Sequence, residues 1–169
     1  SSPSTGGSAD SGAGVAANGP SSIDNTGSVS HMGGGAGGDI NALPTPSGNG
    51  WEANKATILA AAKMVGVDPE LASSIAGVES NYNPTARPYS KAQGRYLSSA
   101  AGYYQVIKGT WQSLMERYGA KYGINPNTTA MDPRANALLG LSYIKENYDV
   151  LSAKVNRKIT DTDVYLAHF

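Results

Sequence analysis

The chain of 169 residues holds 13 Lys and Arg, 13 Asp and Glu, no cysteine, and two histidines, His31 and His168, in unrelated regions. Disulfides, thiol nucleophiles and Cys-ligated metals are thereby excluded, and neither a metal site nor a cofactor is expected. The zero net charge hides a tail of −3 (Asp10, Asp24, Asp39) and a later region of 13 − 10 = +3; that is too weakly basic for nucleic acid to be the primary partner and better suits another anionic polymer.

Residues 1 to 50 contain 13 of the 21 glycines, many serines, and no Lys, Arg, Phe, Tyr or Trp. Such a segment buries too little apolar surface to offset its ordering entropy, and it reads as a flexible, disordered Gly/Ser-rich arm or linker. Residues 51 to 169 form the foldable domain. No apolar run is long enough to span a bilayer, and the first residues lack the pattern of a secretion signal. The helical pattern is still running at Phe169, which suggests truncation at the C-terminus.

Beyond Trp51 the apolar spacing is helical almost throughout, predicting a mostly α domain. A first helix is expected from Ala53 to Val65, closed by Gly66 in the left-handed conformation. The second is capped by Asp68, carries Pro69 in its first turn, and runs to Ser80. Residues 83 to 100 hold two prolines, a glycine and no helical period, and predict a long loop or short hairpin of functional interest. Thr110 is the expected cap of a third helix through Tyr118, with Gly119 past its end. Asp132 and Pro133 open a fourth, apolar on nearly every side and therefore central, reaching Tyr148. Thr160 and Asp163 form a capping box for a last helix.

On the second helix Leu71, Ile75 and Val78 share a stripe, with Glu79 at its edge, about 80° from Leu71. A half-buried carboxyl in the last helical turn has its pKa raised by desolvation and by the negative end of the helix dipole, which keeps a proton available near neutral pH. The plainer alternative is a helix-end carboxylate satisfied by Arg87 or a backbone amide. Glycoside hydrolysis with two acids needs a second carboxylate. Ser80 to Trp111 contains no Asp or Glu, only Arg87, Lys91, Arg95 and Lys108; a second acid would have to come from Glu116, Asp132 or beyond.

Leu71 to Asn83 (LASSIAGVESNYN), followed by Ala101-Gly102-Tyr103-Tyr104-Gln105-Val106 and Thr110, resembles the SLT-type, goose-lysozyme-like lytic transglycosylases, especially those of bacteriophage virions. The resemblance covers residues 53 to 169. It places the family's Glu-Ser pair on Glu79-Ser80, its Gly-Leu-Met-Gln motif on Gly102-Tyr103-Tyr104-Gln105, its buried helix on Asn136, Gly140 and Tyr143, and its Ala-Tyr-Asn motif on Ala167-His168-Phe169. Tyr103-Tyr104 departs from Leu-Met, and His168-Phe169 from Tyr-Asn.

The resemblance implies a lysozyme-like helical fold and a peptidoglycan lytic transglycosylase. Glu79 would be the single catalytic acid and base, cleaving the β-1,4 bond between N-acetylmuramic acid and N-acetylglucosamine and releasing a 1,6-anhydro product. Substrate contacts would come from Ser80, Tyr103, Tyr104, Gln105, Tyr143 and His168, with Tyr143 or His168 holding the acid. Tyr82, Tyr89 and Tyr96 would offer ring faces to sugars, and Arg87, Lys91 and Arg95 would meet lactyl or stem-peptide carboxylates.

The expected partner is the glycan strand, with other virion or ejection proteins met through the arm or the missing C-terminal part. The expected setting is a phage virion acting in the host periplasm and cell wall during genome entry. Competing readings are a muramidase that uses water and a virion structural or wall-binding domain without activity.

Overall fold

The computed structural model describes residues 32 to 155, and local signals explain where its helices start and stop. Helix α1 (Trp51–Val65) ends at Gly66, whose φ of 95° is open to glycine and whose amide donates to Ala62 O at 2.8 Å. Helix α2 (Pro69–Ser80) starts where the Asp68 carboxylate accepts from Leu71 N at 3.0 Å, with Pro69 in the first turn. Both match the expected boundaries closely.

Next come the two-residue strands β1 (Tyr89–Ser90) and β2 (Arg95–Tyr96), paired antiparallel with Tyr89 opposite Tyr96. The expected loop or hairpin is thus a hairpin, held by the edge-to-face pair Tyr89–Tyr96 at 5.1 Å and by Arg87 stacked 4.2 Å from the Tyr96 ring.

Helix α3 (Lys108–Leu114) departs from expectation at both ends. Ile107 is its N-cap, so Thr110 lies inside the first turn. The chain then continues through a π turn at Met115–Gly119 and a 3-10 turn at Ala120–Tyr122, and Gly123, not Gly119, takes the left-handed closing position. The cause is tertiary. Arg117 pairs with Glu146 of the fourth helix at 2.9 Å and Tyr118 hydrogen-bonds the same carboxylate, drawing this turn toward that helix.

Helix α4 (Pro133–Val155) is capped by Asp132, which accepts from Ala135 N at 3.0 Å. It is the central helix, with Ala135, Ala137, Leu138, Leu139, Leu141 and Ile144 fully buried. It packs on α1 and α3, while α2 packs on α1. At Gly140 the Tyr104 ring lies so close that an added Cβ would sit 2.7 Å from it, so this position accepts no side chain without displacing Tyr104. The helix runs several residues beyond the expected Tyr148. The helix expected after Thr160 lies outside the described residues.

Residues 32 to 50, expected to belong to the flexible arm, instead pack on the domain. Gly33, Ala36 and Gly37 donate backbone hydrogen bonds to the carbonyls of Gly66, Lys63 and Met64. A side chain on Gly35 would run into the carbonyls of Met64 and Val65, so glycine here serves close backbone approach. Ile40 and Leu43 enter the core, and Lys145 and Arg134 donate to carbonyls of the segment. Composition could not show these contacts, since every hydrogen bond among them uses only backbone on the segment's side.

Among the described residues no helix is long and apolar enough to cross a membrane.

Candidate active site

The buried residues of α2 are Leu71, Ala72, Ile75, Ala76 and Ser80. At 100° per residue their mean direction is about 90° from Leu71. Glu79, at about 80°, therefore lies in the middle of the buried face, not at its edge. Val78 falls outside that face and is 65% exposed, against the expectation that it shares the core stripe. Glu79 itself is half-buried.

Burial raises the Glu79 pKa from 4.5 to about 7, and Oε2 is buried with no hydrogen-bond partner among the described residues. A carboxyl that holds its proton near pH 7, with one oxygen unengaged, has the chemistry to donate that proton. The alternative of satisfaction by Arg87 fails, because Arg87 donates to Ala100 O and Ser98 O, both at 3.1 Å, and stacks on Tyr96.

The turn after Glu79 is held in an unusual shape. Asn81 and Tyr82 both adopt left-handed φ, 52° and 60°, a conformation that costs a tyrosine free energy. The Tyr82 carbonyl is gripped by Asn54 Nδ2 at 3.0 Å and Gly50 N at 3.2 Å. Asn54 is fully buried, also donates to Gly48 O and Gly50 O, and accepts from the Tyr103 hydroxyl. It is a positioning residue that the sequence reading missed. The available signal was a polar side chain in register with the apolar stripe Ile58, Ala61 and Val65 of α1.

Facing this turn in sequence is the loop Ala101–Val106, closed by an antiparallel bridge between its ends. Asn136 of α4 pins it from below, donating to Ala101 O and Ala130 O, both at 2.9 Å, and accepting from Tyr104 N at 3.0 Å. Gly102, at φ 81°, abuts the Asn136 amide where any Cβ would overlap it.

The other expected contact residues divide sharply. Tyr103 and Tyr104 are fully buried, so they wall no cleft; their hydroxyls go to Asn54 and, at 2.8 Å, to Ala72 O, and burial pushes both hydroxyl pKa values up. They tie the loop to α1 and α2. Gln105 spends both amide hydrogens on Ala86 O and Gly102 O at 2.8 Å, so only its carbonyl can face a ligand, as acceptor. Ser80 is buried and donates to Ala76 O at 2.9 Å, one turn back along α2. Tyr143 is half-buried against the core on α4, one turn past Gly140. His168 lies outside the described residues.

The Tyr82 ring meets Trp51 at a tilt of 56°, centroids 5.1 Å apart, while Tyr89 and Tyr96 remain about half exposed on the hairpin. Among the described residues no three acidic or histidine side chains gather where a metal ion could be held.

Residues 56–161 match the family described as Transglycosylase SLT domain. The match takes in the carboxyl-bearing end of α2, the pinned loop and the whole described length of α4. The helical fold of the described residues agrees with it. With more than half of the chain matched, this protein belongs to the SLT transglycosylase family, enzymes that act on peptidoglycan as lytic transglycosylases.

Proposed function

We propose that Glu79 is the sole catalytic acid and base of this transglycosylase. The observation that carries the proposal is its Oε2, buried and without a hydrogen-bond partner among the described residues, on a carboxyl whose pKa is raised to about 7. In the first step the Glu79 carboxyl protonates the oxygen between N-acetylmuramic acid and N-acetylglucosamine. The acetamido oxygen of the muramyl residue attacks its anomeric carbon, and the glycosidic bond breaks. In the second step the Glu79 carboxylate takes the proton of the muramyl C6 hydroxyl. That oxygen displaces the acetamido group, and the 1,6-anhydro ring closes.

Each bond broken has a bond formed, and Glu79 ends protonated, ready for another turnover. No second carboxylate is needed, which agrees with the acid-free stretch from Ser80 to Trp111. Gln105 contributes an acceptor to the sugar, and Ser80, Tyr143 and His168 belong to the same proposal as contacts of substrate or acid.

The pH dependence tests this assignment. The first step requires protonated Glu79, so kcat/KM on purified sacculi should fall as pH rises through about 7. A rate that is flat from pH 5 to 9, or that rises across neutrality, would remove Glu79 from the acid's role.

The same proposal sets the enzyme in a phage particle that opens the host wall during genome entry. The support is the resemblance to virion-borne members and the Gly/Ser-rich arm, a composition suited to tethering. Mass spectrometry of purified particles from a producing lysate should find peptides of this chain; their absence from particles while present in the lysate would refute that setting.

A further inference from the structure

Apart from Glu79, the described residues enclose a cavity of about 720 Å³ between α3, the loop Ala101–Val106 and residues 126 to 131. Glu79 is not among its lining residues. We infer that this cavity binds the stem peptide of peptidoglycan, making the enzyme selective for peptide-bearing strands. The inference rests on peptidoglycan being the substrate.

The lining argues for a peptide over a sugar. Its lining is largely apolar and includes Val106, Trp111, Met115 and Met131. Trp111 is 7% exposed and its indole N–H is spent on Thr128 O at 3.0 Å, so it offers neither an open ring face nor a donor to a sugar. A stem peptide brings small alkyl side chains, free carboxylates and, on its diamino residue, either an ammonium alone or an ammonium with a further carboxylate.

The charges at the cavity match that chemistry. Arg87 and Lys108 can receive carboxylates, and Glu116 can receive an ammonium. Arg87 is held in place by its bonds to Ala100 O and Ser98 O and by the Tyr96 ring, so its charge is preorganised.

The cavity also adjoins the site. Ala101 and Val106, which close the pinned loop carrying Gln105, are part of its wall, as is Arg87, next in sequence to Ala86, whose carbonyl Gln105 holds. A strand drawn over that loop would present its lactyl-linked peptide to the cavity.

The test is a titration of the whole chain with two synthetic stem tetrapeptides, one containing L-lysine and one containing diaminopimelate, followed by NMR at the Trp111 indole N–H. At least one peptide should shift that resonance saturably, whereas peptide-free glycan fragments should not. Lys108→Glu adds an acid to the first turn of α3, where the helix dipole favours it, so folding is preserved. It should weaken peptide binding by about tenfold, the loss expected for one charge-assisted hydrogen bond. Lys63→Glu, on exposed α1 surface, should not weaken it.

In parallel, Lys108→Glu should raise the KM for sacculi relative to the KM for amidase-stripped glycan by a similar factor. No Trp111 shift with either peptide, a shift with glycan alone, or an unchanged KM ratio would each overturn the inference. Failure of the activity reading would show separately, as absence of cleavage by the wild type, and the peptide titration would still decide the cavity.

Discussion

Glu79→Gln is expected to lower cleavage of purified peptidoglycan by about 100- to 10,000-fold, the span lost when a general acid is removed. The substitution is nearly isosteric, so the α2 helix end, the Asn81–Tyr82 turn and glycan binding should persist. Stability provides the control. The folded state holds the Glu79 proton up to about pH 7, while an unfolded chain releases it near 4.5, so stability falls as pH rises across that interval. Glutamine removes the ionisation. At pH 8 the variant should be more stable by about 1 to 2 kcal/mol, after discounting for solvent screening of a half-exposed group. Loss of activity with equal or greater thermal stability separates a chemical role from a structural one; a variant that keeps wild-type rates would end the assignment.

The second large effect concerns the support of the site. Asn136→Ala would remove together the bonds that one buried amide makes to Ala101 O, Ala130 O and Tyr104 N, leaving Ala101 O its bridge bond from Val106 N. Removing it should cost about 3 to 5 kcal/mol, the upper range for breaking a buried hydrogen-bond network and leaving a small void. Denaturant unfolding should show the midpoint falling with little change in slope. Activity should fall as well, because the loop carrying Gln105 is fixed through Asn136. A loss under 1 kcal/mol would mean that the loop is held elsewhere.

How much of this was legible in the sequence depended on how local each cause is. Asp68-Pro69, Gly66 and Asp132-Pro133 act within one helical turn, and the helix limits they predict are found. Glu79 was legible because a polar residue breaks the apolar face of α2. Its place at the centre of that face emerged only when the buried set, with Ala72 and Ala76 in and Val78 out, was known.

What was not legible depended on distant partners. The π turn after Leu114 follows from Arg117 and Tyr118 meeting Glu146, some 30 residues on. Tyr103 and Tyr104 occupy positions for which the resemblance implied substrate contact, yet Asn54, Ala72 and Gly140 draw them into the core. An aromatic residue in a loop carries no mark of which side it will face. The segment of residues 32 to 50 was hidden for another reason: its glycines permit backbone contacts that leave no hydrophobic pattern.

The family assignment makes the enzyme a lytic transglycosylase, and the proposed single-acid mechanism rests on the half-buried Glu79, whose Oε2 has no partner among the described residues, and on the lack of Asp and Glu between Ser80 and Trp111. The most direct test of that single-acid mechanism is the mass of the released muropeptides after exhaustive digestion of sacculi by the wild-type chain. The mechanism predicts 1,6-anhydro-muramyl ends, lighter by one water than the hydrolytic product. Reducing muramic acid ends as the main product would contradict it, because water would then have taken the place of the substrate's own C6 hydroxyl in the second step.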